Sequence, residues 1–243
     1  MKVVVVYKWA RDAAAAAVRA DGTVDWRNAK MTAGEDDPAA LTVAKQLAAA
    51  SGGEVVGLTI GDGDASWVLA RGVGSTFSVT DVPSLADNAR TAAIIAAAVG
   101  PIGGVDVVVI GDSKQDPGVG VALAGALGWP ALVGLVSANV EGGRVVAVRR
   151  VGTEEQTVAV RSPVVLGIAA DADVDRAPGM KELLAARKRP VTTLTVADLG
   201  VQATDVSSEG TRKPAVVPTR VFVGPPAETA AQLVAALRAE GVL

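Results

Sequence analysis

The sequence predicts a doubly wound α/β fold with a mostly parallel sheet, antiparallel strand additions and a C-terminal arm. Three observations predict it. Over the first 130 residues, short valine-rich apolar runs alternate with longer alanine-rich segments, the rhythm of βα repeats. The runs at 2–7 and 105–110 are almost unbroken, as in strands buried on both faces of a parallel sheet. After Pro130, strand-like runs follow one another across short turns, which implies an antiparallel extension.

The elements follow in order. Residues 2–7 form the first strand, with Lys8 at its carboxyl end. Asp21-Gly22, inside residues 19–26, is a hairpin signal. Asp36, Asp37 and Pro38 open a helix through Leu47, because Asp suits an N-cap and Pro the first turn. Gly52-Gly53 ends it, and residues 54–60 form the second strand. The turn Gly61-Asp62-Gly63-Asp64 enters a helix reaching Gly72, before a short strand at 76–79 and a helix at 87–99. Residues 105–110 are the fourth strand, followed by a glycine-containing loop and a helix at 119–127. Strands are expected at 131–136, 144–150, 157–160 and 164–169, with turns at Gly142-Gly143 and Val151-Gly152-Thr153. A helix at 180–189 ends in Arg187, Lys188 and Arg189, where cations suit the negative end of the dipole. A last strand covers 191–196.

From about Ala197 the composition changes. Ser207, Ser208, Gly210, Pro214, Pro218, Pro225 and Pro226 interrupt regular structure, so the chain divides into a body, 1–196, and an arm, 197–243. The arm ends in an amphipathic helix at 228–240 with Leu233 and Leu237 on one stripe, which calls for a surface on its own body or on a partner; a frayed tail is the other reading.

Composition narrows the function. Half of the 243 residues are hydrophobic but only 3% are aromatic, so alanine and valine supply the core. A net charge of -3 gives no basic surplus for nucleic-acid binding. There is no Cys and no His, which removes disulfides, thiolate chemistry, the Ser-His-Asp relay and typical zinc sites. No leader pattern and no apolar stretch of about 20 residues is evident, so a soluble cytoplasmic protein without membrane insertion is expected.

The strand–loop–helix unit at 105–130 is the first candidate site. In open α/β sheets ligands lie outside the carboxyl ends of the strands, and helix N-termini attract phosphate. A tight turn that binds nothing is the other reading. Gly118-Val119-Gly120 lacks the third glycine of a dinucleotide fingerprint, and there is no P-loop. Asp36, Asp37, Asp62, Asp64, Asp112 and Asp116 lie on loops at strand ends, where paired carboxylates serve metals or acid–base work. Helix capping accounts for each pair as well.

Taken in order, these segments resemble the β subunit of electron-transfer flavoproteins, the FixA family, over residues 1–201. The resemblance rests on MKVVVVYKWARD, the turn ADGTVD, AGEDDPAALTVAKQL, GDSKQDPGVGVALAGALGWP, VGTEEQTVAVRSPVV and, most specifically, VDRAPGMKELLAARKRPVTTLTVADLGV. It implies an adenine-nucleotide-hydrolase-like fold and an electron-transfer subunit without catalytic residues of its own. It implies pairing with an α subunit that carries most of the FAD site, docking of donor dehydrogenases, and AMP on this chain or, in bifurcating members, a second FAD. Carried over position by position, it places nucleotide contacts at Val6, Gly34, Glu35, Asp36, Asp37 and Ile60, and on the loop Asp112, Ser113, Lys114, Gln115, Asp116, Gly118, Val119 and Gly120. It places partner docking at Met180, Leu183, Leu184, Arg187, Lys188 and Arg189, with Met180 where the family has an apolar anchor. Gly34-Glu35 departs from the family's Asn-Pro, and Val174-Asp175-Arg176 keeps only the Arg of its Glu-Pro-Arg. A stand-alone nucleotide-binding domain of universal-stress type, and a scaffold subunit without nucleotide, are the alternative readings.

Overall fold

The computed structural model describes residues 1–61, 63–82, 87–112, 117–169, 172, 174–202 and 209–243. The strands in chain order are β1 (Lys2–Val6), β2 (Trp9–Arg11), β3 (Ala17–Val18), β4 (Val24–Asp25), β5 (Met31–Ala33), β6 (Glu54–Ile60), β7 (Ser75–Thr80), β8 (Val107–Gly111), β9 (Ala131–Glu141), β10 (Arg144–Val151), β11 (Glu154–Val160), β12 (Val164–Ile168) and β13 (Val191–Thr195). The helices are α1 (Asp37–Ala50), α2 (Ala65–Leu69), α3 (Asn88–Ile102), α4 (Val119–Leu127), α5 (Met180–Ala186) and α6 (Pro226–Ala239).

A nine-stranded sheet has the order β11-β10-β9-β12-β8-β1-β6-β7-β13. β1 pairs in parallel with β6 on one side and β8 on the other. The alternation of its side chains builds two cores. Val3, Val5 and Tyr7 pack with Leu41, Val43 and Leu47 of α1 and Trp67 and Val68 of α2. Val4 and Val6 pack with Ile94 and Ile95 of α3 and Val119 and Leu123 of α4. Each fully buried valine of β1 is worth about 1.5–3 kcal/mol of apolar transfer. Alanines at 39, 40, 44, 92 and 98 let the helices lie close to the sheet.

The chain steps from β1 to β6 and β7, then crosses back through α3 to β8 on the other side of β1. The switch point therefore lies between β1 and β8, where α/β sheets open a crevice at their carboxyl ends.

Several expectations are corrected. Residues 164–168 do not belong to the antiparallel run, since β12 pairs in parallel with both β8 and β9. The strand is fully buried, so its apolar run marks a central position rather than the end of a meander. β9 is longer than expected because its first half pairs with β12 and its second half with β10. α2 stops at Leu69 and α5 at Ala186, short of Gly72 and Arg189. α1 and α3 run three residues beyond their expected ends, to Ala50 and Ile102. The antiparallel pair β2–β5 was not expected, because three-residue strands leave almost no periodic signal.

The chain forms two compact units, one of Met1–Ala17 with Asp25–Glu209, the other of Val18–Val24 with Gly210–Leu243. In the second unit Arg19 N–H donates to Thr23 O at 2.9 Å and closes the Asp21-Gly22 turn. Thr211 Oγ1 donates to Gly22 O at 3.1 Å, tying the arm to that turn. α6 forms close to where it was expected, and none of its residues is buried. Among the described residues no helix is long and apolar enough to cross a membrane.

Candidate functional site at the carboxyl ends of the central strands

A cavity of about 230 Å³ opens at the switch point. Its floor is made by the ends of three strands, Val6 and Tyr7, Ile60, and Ile110 with Gly111. Thr91 and Ile95 of α3 and Val119 of α4 close one side, and Gly34, Asp36 and Asp37 the other. Its walls are thus mainly apolar with a few polar groups, the usual make-up of a small-molecule pocket.

Asp37 holds this arrangement together. Its Oδ2 accepts hydrogen bonds at 2.8 Å from Lys8 N–H at the end of β1 and from Gly34 N–H before α1. One buried carboxyl therefore clips the turn leading into α1 onto the first strand. Burial pushes its pKa up to about 7, and the nearby charge of Asp36 adds to the rise; the two amide bonds and Lys8 oppose it. Capping accounts for neither member of this pair, since Asp36 makes no side-chain cap bond. It does account for Asp64, whose Oδ1 accepts from Ser66 N–H at 2.8 Å at the start of α2.

Gly111 is required by the same packing. A Cβ there would lie 2.9 Å from Asp36 Cβ and 3.1 Å from Asp37 Oδ1. Gly111→Ala is expected to cost about 1–3 kcal/mol through this overlap. Denaturant unfolding checks it, and an unchanged midpoint would show that the Asp36-Asp37 turn yields freely.

Gly118 precedes α4 with φ +92°, a left-handed conformation that suits glycine. Asn88 at the start of α3 donates to Pro117 O, so the two helix N-termini are fastened beside the cavity. The first-turn amides of α4 have no acceptor within their own helix. Asp112 plays another part. Its carboxylate accepts from Gly134 N–H at 2.8 Å and pins β9 where its pairing changes from parallel to antiparallel.

Of the expected nucleotide residues, Val6, Gly34, Asp36, Asp37, Ile60 and Val119 converge on one cavity. Glu35 is exposed and lines a neighbouring cleft with Arg11 and Asp12. Gly118 and Gly120 frame the start of α4 without lining the cavity. Ser113, Lys114, Gln115 and Asp116, like Asp62, lie outside the described residues. Tyr7, Lys8, Trp9 and Ala10 after β1, Thr91 and Ile95 on α3, and Ile110 and Gly111 on β8 were missed. The i, i+4 spacing of Thr91 and Ile95 on α3 is the signal that could have found two of them. Among the described residues there is no group of three or more Asp or Glu that could hold a metal ion.

The expected docking residues lie on and after α5. Met180 is 72% exposed, and Leu183 and Leu184 are exposed beside it. Arg187 and Lys188 are exposed, whereas Arg189 is half-buried and donates to Val73 O.

Residues 23–199 match the model of the electron transfer flavoprotein domain. The chain is also similar to proteins named electron transfer flavoprotein subunit beta from Mycobacterium tuberculosis and Mycobacterium bovis. Each is 33% identical over 124 residues, covering 49% of this chain and 46% of the relative. The match thus spans about half the length of these curated relatives.

Proposed function

The chain belongs to the electron transfer flavoprotein domain family, and on that premise we propose that it is a β-type subunit of a cytoplasmic electron-transfer complex. In this reading it pairs with an α subunit that carries FAD and docks donor dehydrogenases, and it supplies no catalytic residue itself. The observation that carries the proposal is the family match itself, which includes the cavity's loop at Gly34–Asp37, the N-terminus of α4 and the exposed face of α5.

The cavity suits the adenosine part of AMP. Val6, Ile60, Ile95 and Val119 offer apolar surface to a base, and the amides at the start of α4 offer donors to a phosphate. The carboxylates beside it argue less strongly against an anion than their number suggests, because Asp37 is buried and its Oδ2 is engaged by two amides. Bound AMP would supply structural support rather than redox chemistry.

Co-expression with an electron-transfer flavoprotein α subunit tests the reading. The isolated chain is expected to be colourless, and the co-purified pair to be yellow with stoichiometric FAD. Acid extraction of the pair is expected to release AMP. Truncation after Val201 is expected to weaken pairing while the body stays folded, because α6 leaves Leu233 and Val234 exposed. Failure to pair, or full FAD on the chain alone, would overturn the subunit reading. A yellow pair without adenine nucleotide would favour a scaffold that has lost AMP.

A further inference from the structure

A second cleft, of about 470 Å³, lies on the first unit between α2 and α5. Six charged side chains line it, and their pairing is uneven. Lys45 forms an ion pair with Asp175, and Arg176 forms one with Glu182. These four charges cancel. Arg71 and Arg189 remain, and among the described residues neither guanidinium has a carboxylate partner.

Both are nevertheless fixed. Arg71 lies over the Trp67 ring at 4.5 Å and donates through Nη1 to Trp67 O at 2.8 Å. Burial lowers its pKa, as expected of a cation that has given up water without gaining a counter-ion. Arg189 donates through Nη1 to Val73 O. Each spends one donor on a main-chain carbonyl and keeps others of its five. Two half-buried guanidiniums, held in place and without a carboxylate partner among the described residues, line one concave space.

We infer that this cleft is a binding site for the phosphate group of a small phosphorylated molecule, held by Arg71 and Arg189. A dianion would neutralise both excess charges, and a phosphate group has oxygens enough to meet two guanidinium forks, whereas a single carboxylate matches one. The site is separate from the cavity at the switch point, with which it shares no lining residue. It stands independently of the electron-transfer reading.

The test is titration of the full chain with inorganic pyrophosphate, followed by calorimetry and by tryptophan fluorescence, because a ligand on Arg71 alters the cation above Trp67. Saturable binding at this site is expected. Arg71→Gln and Arg189→Gln should each weaken it about tenfold, the loss typical of one charge-assisted hydrogen bond. Lys181→Gln, which removes a nearby exposed cation outside the cleft, should leave it unchanged. Arg71→Lys, which keeps the charge but not the fork, should bind more weakly than wild type and guards against misfolding in the Gln variant. No binding overturns the inference, as does binding that survives both Arg variants. Equal weakening by Lys181→Gln also overturns it, since that marks diffuse attraction.

Discussion

Asp37→Asn is expected to make folding stability almost independent of pH at this position and to stabilise the protein above neutrality. The carboxyl has a raised pKa in the folded state, about 7 against 3.8 for the free group. Between those values the folded state binds more protons than the unfolded state, so stability falls as pH rises through this window and levels off above about 7. A rise of about three units corresponds to about 4 kcal/mol. Asn carries no charge, and its Oδ1 can still accept from Lys8 and Gly34. Urea unfolding of both proteins at pH 4, 6 and 8 measures the effect. The difference between them isolates Asp37 from groups such as Glu182 and Asp198, whose pKa values are lowered by hydrogen bonds and which act in the opposite direction at acid pH. Asp37→Ala provides the contrast. It leaves two amides without their acceptor, at about 1–3 kcal/mol each. If Asn proves as harmful as Ala at pH 8, the negative charge itself is what the turn requires.

This clip also marks where sequence reading stops. Val3 to Val6 announce a central strand because every position is apolar, and α4 forms over residues 119–127 as expected because small apolar residues fill it between Gly118 and Gly128. The carboxylate pairs were less legible. Asp64 caps α2, but Asp37 turns back to bind the end of a strand 29 residues earlier, and no local pattern reports so distant a partner. The same holds for Asp112, whose partner Gly134 lies on another strand. β12 was placed in the wrong company because short turns suggest neighbours, whereas its fully apolar run already pointed to the centre of the sheet. The cavity was readable as a set of strand ends but not as a list of lining residues, since α3, which follows β7 in the chain, also contributes Thr91 and Ile95. Arg189 read as one of three cations ending a helix and placed for docking, and instead it reaches back to Val73.

Met180→Ala is expected to lower kcat/KM for electron delivery from the donor dehydrogenase by about 30-fold, while flavin content and pairing with the α subunit stay the same. The proposed docking face explains both halves. Met180 is 72% exposed, with Leu183 and Leu184 exposed on the same short helix, and Ala186 is the only buried residue of α5. Little stability in the free chain depends on it, so the melting temperature should stay within about 2 °C of wild type, as for surface substitutions generally. In a complex the same side chain is free to fill a partner's pocket. A central anchor of this kind is commonly worth about 2 kcal/mol, which is the 30-fold effect. Methionine suits the task because its flexible thioether adapts to partners of different shape. Arg187 and Lys188, at the other end of α5, act differently. Exposed charges at a rim mainly speed encounter, so Arg187→Gln should slow the reaction most at low ionic strength and little at high salt. Stopped-flow reduction of the complex by its donor, with thermal melting of the same samples, separates these contributions. A lowered melting temperature with unchanged transfer would show that Met180 packs within its own chain. Unchanged transfer and unchanged stability would move the docking site away from α5.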